Sequence, residues 1–329
     1  MDWTRILSDG LRSGLGINAA VYALAAVGLN LQYGYTGLMN YGQAGFLLVG
    51  AYGTAVTVDQ WGLPLPLAFL FGIAAAVGFG LLLGLPTLRL RADYLAIVTI
   101  SAAEILKLLV NTRQAQGLTG GPQGINGFAN DFFEWNPIAQ GRYGFGAVKF
   151  SHRDLWVILV TWALVVVVTF VMRRLVHSPW GRVLRAIRED EDAVRSLGKN
   201  VVAYKMQSLV LGGAIGGLAG IMLVMDKQFV EPKLFESALT FFVYALLILG
   251  GLARLMGPIA GGMLFWFFVS GSQGFLIEAV DNKFLGIHHV LQTDDIGPVR
   301  FMIVGLLIMV LVVFRPQGAF GSRDDVRLR

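Results

Sequence analysis

Leu155-Trp156-Val157-Ile158-Leu159-Val160-Thr161-Trp162-Ala163-Leu164-Val165-Val166-Val167-Val168-Thr169-Phe170-Val171-Met172 is a run of 18 residues without an ionisable side chain. An α-helix needs about 20 mostly apolar residues to cross the roughly 30 Å hydrocarbon core of a bilayer. Together with its flanks, this run predicts a membrane-spanning helix over residues 154–174.

Eight further segments of the same kind lie on either side of this run. The nine segments are 15–31, 38–58, 64–88, 93–111, 154–174, 203–226, 237–252, 256–277 and 298–314. None of them alternates between apolar and polar residues with the period of two that a barrel strand shows. Because a backbone in lipid has to satisfy its own hydrogen bonds, the sequence predicts an all-α fold. It is a polytopic transmembrane helical bundle of about nine spans, between about eight and ten.

The composition agrees with lipid as the solvent of this chain. Apolar residues make up 55% of it and charged residues only 14%, and the mean hydropathy is +0.64. A soluble domain carries about 25% charged residues. The net charge of +5 comes from basic residues clustered beside apolar runs. We interpret them as one basic face of a membrane protein and not as a nucleic-acid-binding surface.

The basic residues also predict which loops face the cytoplasm. Segment 173–205 contains eight of them, and the C-terminal tail, 315–329, contains four. Positively charged loops stay in the cytoplasm, so both segments are placed there together with Arg254, Arg89 and Arg91. The longest hydrophilic stretch, 112–153, is then an external loop. The whole chain, 1–329, is predicted to be a single membrane domain.

The side of the N-terminus and the parity of the crossings stay open. Residues 1–10 lack a charged n-region and a cleavage site, so we expect the first apolar stretch to be retained as a span. Residues 32–37 interrupt that region, and the Gly-rich segment after them has the composition of a broken or re-entrant helix. Such backbone is tolerated at membrane depth only where protein or a cavity covers it.

Segment 178–198 predicts a charged helix at the cytoplasmic face. Ser178 suits the N-cap, Pro179 suits the first helical position, and Gly198 suits a C-terminal stop. An apolar stripe with dense charge is typical of a helix that docks a soluble protein. The alternative is an amphipathic helix lying on anionic lipid. The four consecutive acids at 189–192 argue against that alternative, because a negative membrane surface repels them.

Polar side chains occur inside the predicted spans. The first two apolar regions contain Asn30, Gln32, Asn40 and Gln43, with Tyr33, Tyr35 and Tyr41 nearby. These amides either line a polar path for a solute or hold helices together by hydrogen bonds, and the sequence does not choose between the two.

The fourth span carries the ionisable residues Glu104 and Lys107, which are three residues apart and can therefore pair. A structural pair with a snorkelling lysine is the favoured interpretation for Lys107. For Glu104 a structural and a functional role remain equally open.

Glycines at 212, 216 and 220 form two linked G-x-x-x-G steps, and Gly257 and Gly261 form a third. Small residues at this spacing let another helix approach closely, so we predict a helix-packing role for Gly212, Gly216 and Gly220. This pattern carries no prediction about substrate.

Several kinds of chemistry have no signal in the sequence. There is no cysteine, no G-x-x-x-x-G-K-[ST] phosphate loop and no H-E-x-x-H motif. The four histidines, His152, His177, His288 and His289, fall in loops or at the ends of spans. We therefore expect no enzyme, no metal site and no cofactor in this chain.

Five stretches together resemble the LivM-type permeases of the branched-chain amino-acid ABC transporters, the hydrophobic amino-acid uptake family. They are Gly28-Leu29-Asn30-Leu31-Gln32-Tyr33-Gly34-Tyr35-Thr36-Gly37, Leu118-Thr119-Gly120-Gly121-Pro122-Gln123-Gly124-Ile125, Ser178-Pro179-Trp180-Gly181-Arg182 through Ala186-Ile187-Arg188-Glu189-Asp190, Leu249-Gly250-Gly251 with Gly257-Pro258, and Phe314-Arg315-Pro316-Gln317-Gly318. The resemblance covers nearly the whole chain and is specific because all five occur in this order.

The resemblance implies a heteromeric importer of branched-chain amino acids in the bacterial cytoplasmic membrane. Its implied partners are a second, LivH-type permease, two cytoplasmic ATPases, an external solute-binding protein and membrane lipid. Segment 175–202 is then similar to the coupling segment that meets the ATPase. The residues assigned to that contact are Arg182, Arg185, Ile187, Arg188, Glu189, Glu191 and Arg195. Those assigned to the substrate path are Asn30, Gln32, Asn40, Gln43 and Glu104.

The family's usual E-A-A…G sequence is replaced here by Glu191-Asp192-Ala193 with Gly198 five residues further on. Relatives of such permeases carry other amino acids, amides or urea, so the solute stays open. A self-sufficient secondary transporter is the competing class. A secondary transporter would need its own coupling residue, for which Glu104 is the candidate. Such transporters usually have two interrupted helices, one in each half of the chain, and this sequence shows one interrupted region, near 32–37.

Overall fold

The computed structural model describes residues 3–88, 92–145, 148–281, 296–315 and 317–319. Residues Arg89, Arg91, His288 and His289 and most of the tail, 316 and 320–329, lie outside the described residues. The helices are α1 (Trp3–Leu15), α2 (Ile17–Leu29), α3 (Gln43–Trp61), α4 (Leu65–Thr87), α5 (Ala92–Val110), α6 (Gln116–Thr119), α7 (Asn130–Glu134), α8 (His152–His177), α9 (Pro179–Glu189), α10 (Glu191–Ser196), α11 (Val201–Lys227), α12 (Ser237–Gly250), α13 (Gly257–Asp281) and α14 (Ile296–Phe314). A π-helix, Asn30–Tyr35, follows α2, and short 3₁₀ turns cover Gly121–Gln123 and Pro232–Phe235.

The predicted all-α bundle is confirmed. Each of the nine predicted segments contains most of one helix: α2, α3, α4, α5, α8, α11, α12, α13 or α14. Among the described residues, α4, α8, α11 and α13 are long and apolar enough to cross a membrane alone, and α1 with α2 adds a bent fifth span. Two shorter apolar helices accompany them. The predicted number of spans stays a prediction.

Helix α11 lies at the centre and packs against α2, α3 and α4. Its glycines make this possible. A β-carbon on Gly220 would overlap the carbonyl oxygen of Leu47 on α3, and one on Gly212 would lie 2.5 Å from that of Gly28 on α2. The backbones of three helices therefore meet with no side chain between them.

Helix α1 was not predicted from the sequence. It precedes the first predicted span and bends by 41° into α2 near Gly16. One side of α1 packs on α13 through Gly10 and Gly14. Exposed Trp3, Leu7, Leu11 and Leu15 recur every fourth residue on its other side. That spacing is the signal that identifies the helix in retrospect.

The helical structure is interrupted between α2 and α3. The helix continues as the π-helix and one further residue, Thr36, and the non-helical stretch covers residues 37–42. Helix α3 then begins at Gln43, whose side chain lies against Gly216, about halfway along α11. The break thus lies deep in the bundle and a few residues later than the sequence indicated. The π-helix had no sequence signal that we could identify.

The loops gather at two ends of the bundle. At one end, Arg188 contacts Gly34, Asn30 contacts Arg254, and the amide of Ala319 donates to the carbonyl of Leu249 at 2.8 Å. This is the end predicted to be cytoplasmic.

At the other end, β1 (Ile125–Asn126) pairs antiparallel with β4 (Phe229–Val230). Strand β2 (Arg142–Phe145) pairs antiparallel with β3 (Val148–Ser151). Segment 112–153 thus folds on itself and onto the loop after α11.

Candidate functional site

The cytoplasmic-end segment 178–198, here called the elbow, consists of two helices and not the single helix that its sequence predicted. Ser178 caps α9 by accepting from the amide of Gly181 at 3.4 Å, and Pro179 occupies the first turn as expected. Asp190 then adopts an extended conformation and ends α9. Its carboxylate accepts from the amide of Ala193 at 2.9 Å and so starts α10. An aspartate followed by two acids is a recognisable start of a helix. The apolar residues continue at helical spacing across it, so the sequence was interpreted as a single helix.

The inner face of the elbow holds it against the interrupted helix. Leu184 is fully buried in a cluster with Leu31 and Tyr35. The Arg188 guanidinium donates to the carbonyl of Gly34, one of the π-helix residues. Arg185 donates to the carbonyl of Val176 at 3.0 Å, and its guanidinium lies 5.7 Å from the centre of the Tyr35 ring.

Ile187 is buried as well, in a cluster with Val194 and Val201. Three of the predicted contact residues, Arg185, Ile187 and Arg188, therefore bind the elbow to its own bundle in this conformation.

The outer face of the elbow carries exposed charge and one large apolar side chain. Arg182 and Glu189 are exposed. Arg195 pairs with Glu191 and Asp192 at 2.9 Å each, and Glu191 also pairs with Lys205. Leu197, at the end of α10, is 79% exposed. A leucine so exposed on a charged tip offers an apolar contact, which the sequence analysis did not single out.

Four predicted path residues are buried and hydrogen-bonded: Asn30 bonds the backbone alone, whereas Gln32, Asn40 and Gln43 also bond one another. Asn30 donates to the carbonyl of Arg254 at 2.9 Å and accepts from the amide of Ala253 at 2.9 Å. Gln32 donates to the carbonyl of Leu209 on α11 at 3.0 Å. These bonds hold the π-helix to two other parts of the bundle.

The network continues through the break. The Asn40 amide donates to the side-chain oxygens of Gln32 at 2.8 Å and Gln43 at 3.2 Å. Its own oxygen accepts from the amide of Gly42 at 2.9 Å. Gln43 donates to the carbonyl of Ala25 at 3.3 Å. Side chains thus satisfy part of the backbone of the break, and backbone carbonyls accept from the amides of Gly37 and Leu38, as a segment away from water requires.

Hydroxyl groups complete this network, and sequence reasoning missed them. Thr36 and Ser208 bond each other at 2.7 Å, and Tyr244 donates to the carbonyl of Asn40 at 3.0 Å. Thr240 accepts from the amide of Ala44 at 2.9 Å. Single hydroxyls in apolar runs are common, so only their position across the break distinguishes them.

Glu104 lies apart from that network, on α5. It pairs with Lys107 at 2.5 Å and accepts from the hydroxyl of Ser237 at 3.2 Å. Its side chain is 42% exposed and that of Lys107 is 20% exposed. The structure thus brings four of the five predicted path residues together and leaves the fifth on a different face.

Among the described residues, no group of three or more His, Asp or Glu side chains is arranged to hold a metal ion.

A bundle of apolar helices, with hydrogen-bonded amides at a central break and a charged elbow at one end, defines a multi-pass membrane protein. Residues 13–314 match the family described as branched-chain amino acid transport system / permease component. The chain belongs to this family, which confirms the resemblance seen in the sequence.

Individual relatives agree with that assignment. The chain is 34% identical to the high-affinity branched-chain amino acid transport system permease protein LivM of Salmonella typhimurium, over 94% of this chain and 70% of the relative. It is 26% identical to a probable LivM of Methanocaldococcus jannaschii, over 93% and 92% of the two chains. It is also 25% identical to the LivH permease of Salmonella typhimurium, over 93% and 92%.

Proposed function

We propose that this chain is one of two permease subunits of an ATP-driven importer for branched-chain amino acids in the bacterial cytoplasmic membrane. The names of its LivM relatives support branched-chain amino acids as the solute, and the similarity to both LivM and LivH supports a related second permease. ATP hydrolysis belongs to separate subunits in this proposal, since the sequence has no phosphate loop.

The observation that carries the proposal is the contact between the elbow and the interrupted helix. Arg188 binds the carbonyl of Gly34, and Leu184 packs on Leu31. A push on the outer face of the elbow therefore reaches the π-helix directly. Because Asn30 and Gln32 tie that π-helix to two other elements, its displacement has to rearrange the centre of the bundle. A two-state element of this kind is what coupling between distant sites requires.

The substrate path is proposed to include Asn30, Gln32, Asn40, Gln43 and Glu104. In the conformation described, the four amides bond protein groups. A zwitterionic solute has to replace those partners, so these side chains meet it in a state in which α2 and α11 have separated. An external binding protein delivers the solute in this scheme, at the end formed by segment 112–153.

The ATPase contact is tested at Leu197. Replacing it with Asp leaves the fold intact, because 79% of the side chain is exposed, but places a charge in the proposed apolar contact. We expect L197D to lose most of the ATPase that co-purifies with the wild-type chain and its partners, and to lose ATP-dependent uptake of leucine.

The matched control is Leu118→Asp, since Leu118 is also exposed (52%) but lies at the opposite end of the bundle. It should retain the ATPase. Equal ATPase recovery with L197D and the wild type would show that the tip of the elbow is not the docking site. Failure of the wild-type chain to co-purify with any ATPase would contradict the proposed function itself.

A further inference from the structure

Helices α5 and α12 form a continuous exposed face, here called the α5/α12 face. On α5, Ile97, Glu104, Ile105 and Leu108 share one side of the helix, because the last three lie seven, eight and eleven residues after Ile97. On α12, Ser237 and the half-exposed Phe241 lie four residues apart. The bond between Ser237 and Glu104 joins the two helices at this face.

This face carries an ion pair where lipid would be the neighbour of an isolated chain. Glu104 lies about two helical turns before the end of α5. Lys107 neutralises its charge, but 42% of its side chain is still exposed. Ionisable groups within spans face protein or a water-filled cavity, because hydrocarbon offers no hydrogen-bond partner. Lipid is therefore a poor neighbour for this part of the surface.

The non-helical break reaches the same face. Tyr41 is half-buried there, stacked on Tyr244 with ring centroids 4.8 Å apart and tilted against Phe241 at 5.8 Å. Its backbone amide donates to the hydroxyl of Thr99 on α5 at 3.0 Å. Irregular backbone at membrane depth also requires cover by protein or water. The ion pair and the partly buried edge of the break thus meet at one surface.

Three other exposed helix faces, on α4, α8 and α14, have the opposite character. The stretches 65–87 in α4, 155–172 in α8 and 301–314 in α14 contain no Asp, Glu, Lys, Arg or His. Their exposed side chains are large and apolar: Leu67, Leu70, Phe71, Leu81, Leu82 and Leu85 on α4, Leu159, Val166, Val167, Phe170 and Val171 on α8, and Met302, Leu306, Met309, Val310 and Phe314 on α14. These faces suit lipid.

We propose that the α5/α12 face is the surface through which this chain contacts the second permease subunit. The inference rests on the proposed function, which supplies a membrane-embedded protein partner. That partner would cover the Glu104–Lys107 pair and Tyr41 while leaving the apolar faces of α4 and α8 to lipid. The path between the two permeases then runs beside the break.

A photo-cross-linking amino acid, benzoylphenylalanine, tests the contact in the intact complex. It replaces Ile105 on the α5/α12 face in one variant and Val167 on α8 in the matched control. The two side chains are 56% and 57% exposed, so neither replacement disturbs the core. Both variants are assembled with the second permease and the ATPases in membranes, checked for leucine uptake, irradiated and analysed by mass.

We expect the variant at 105 to form several-fold more adduct with the second permease than the variant at 167. Equal yields, or adducts from 167 alone, overturn the inference. The same holds if position 105 forms no protein adduct while an Ile105→Cys variant, in this cysteine-free chain, reacts with a charged thiol reagent, because water and not a subunit then covers the face. In each case, uptake by the assembled complex still supports the proposed function.

Discussion

At the scale of single residues, buried amides and glycines have different roles: the amides form hydrogen bonds, and the glycines leave space for a neighbouring helix. The amide of Asn40 serves two neighbouring glutamines and fixes the break, whereas Gly220 contributes only the space that Leu47 occupies. The sequence identified both residues, since amides in apolar runs and glycines four apart are visible patterns. It did not reveal the partners of the neighbouring amides Gln32, Gln43 and Asn30. These partners are the backbone carbonyls of Leu209, Ala25 and Arg254, and every residue has a backbone carbonyl.

Gly220→Ala tests the close approach of α11 and α3. The new methyl group would overlap the Leu47 carbonyl, so the helices have to separate, and we expect a loss of about 1–3 kcal/mol of stability. Thermal unfolding of the purified chain in detergent measures it. Gly78→Ala in α4 is the matched control, because no atom lies within 4 Å of its β-carbon. A melting temperature for G220A at or above that of G78A would contradict the packing argument.

The elbow shows what hydrophobic periodicity conceals at the scale of an element. Its stripe of Leu184, Ile187 and Val194 is buried throughout, as one helix would place it, yet the chain turns at Asp190. Hydrophobic periodicity predicts which residues are buried, whereas a capping residue such as Asp190 indicates where one helix ends and the next begins. The direction in which Arg185 and Arg188 point follows only from the π-helix beside them, which a linear pattern does not contain.

Asp190→Ala tests whether the turn depends on its cap. Removing the carboxylate leaves the amide of Ala193 without its partner, and the loss of an N-cap costs about 1 kcal/mol. We expect faster hydrogen exchange of the amides in 191–196, measured by mass spectrometry on the purified chain. Asp190→Asn should exchange as slowly as the wild type, because asparagine caps equally well. Fast exchange in both variants would mean that charge, and not the cap, orders α10.

At the scale of the whole molecule, the distribution of charge separates three kinds of surface. The two loop ends are charged, the faces of α4, α8 and α14 are apolar, and the α5/α12 face mixes an ion pair with aromatic rings. Hydropathy alone predicted the bundle, because each helix that lies in lipid has to be apolar along its own length. The number of crossings does not follow from hydropathy. Helix α12 is too short to cross alone, and only the structure shows that α1 and α2 together form one bent span.

A transporter that runs on an ion gradient would place its coupling group where it can exchange protons or ions during the cycle. Glu104 instead has Lys107 and Ser237 as partners, and the amides at the break carry no charge. We therefore expect the purified chain alone, in liposomes, to move no leucine under a pH gradient. ATP-dependent uptake should appear once the second permease, the ATPases and the binding protein are added. Leucine accumulation by the chain alone, lost in Glu104→Gln but kept in Glu278→Gln near the end of α13, would instead establish a secondary transporter.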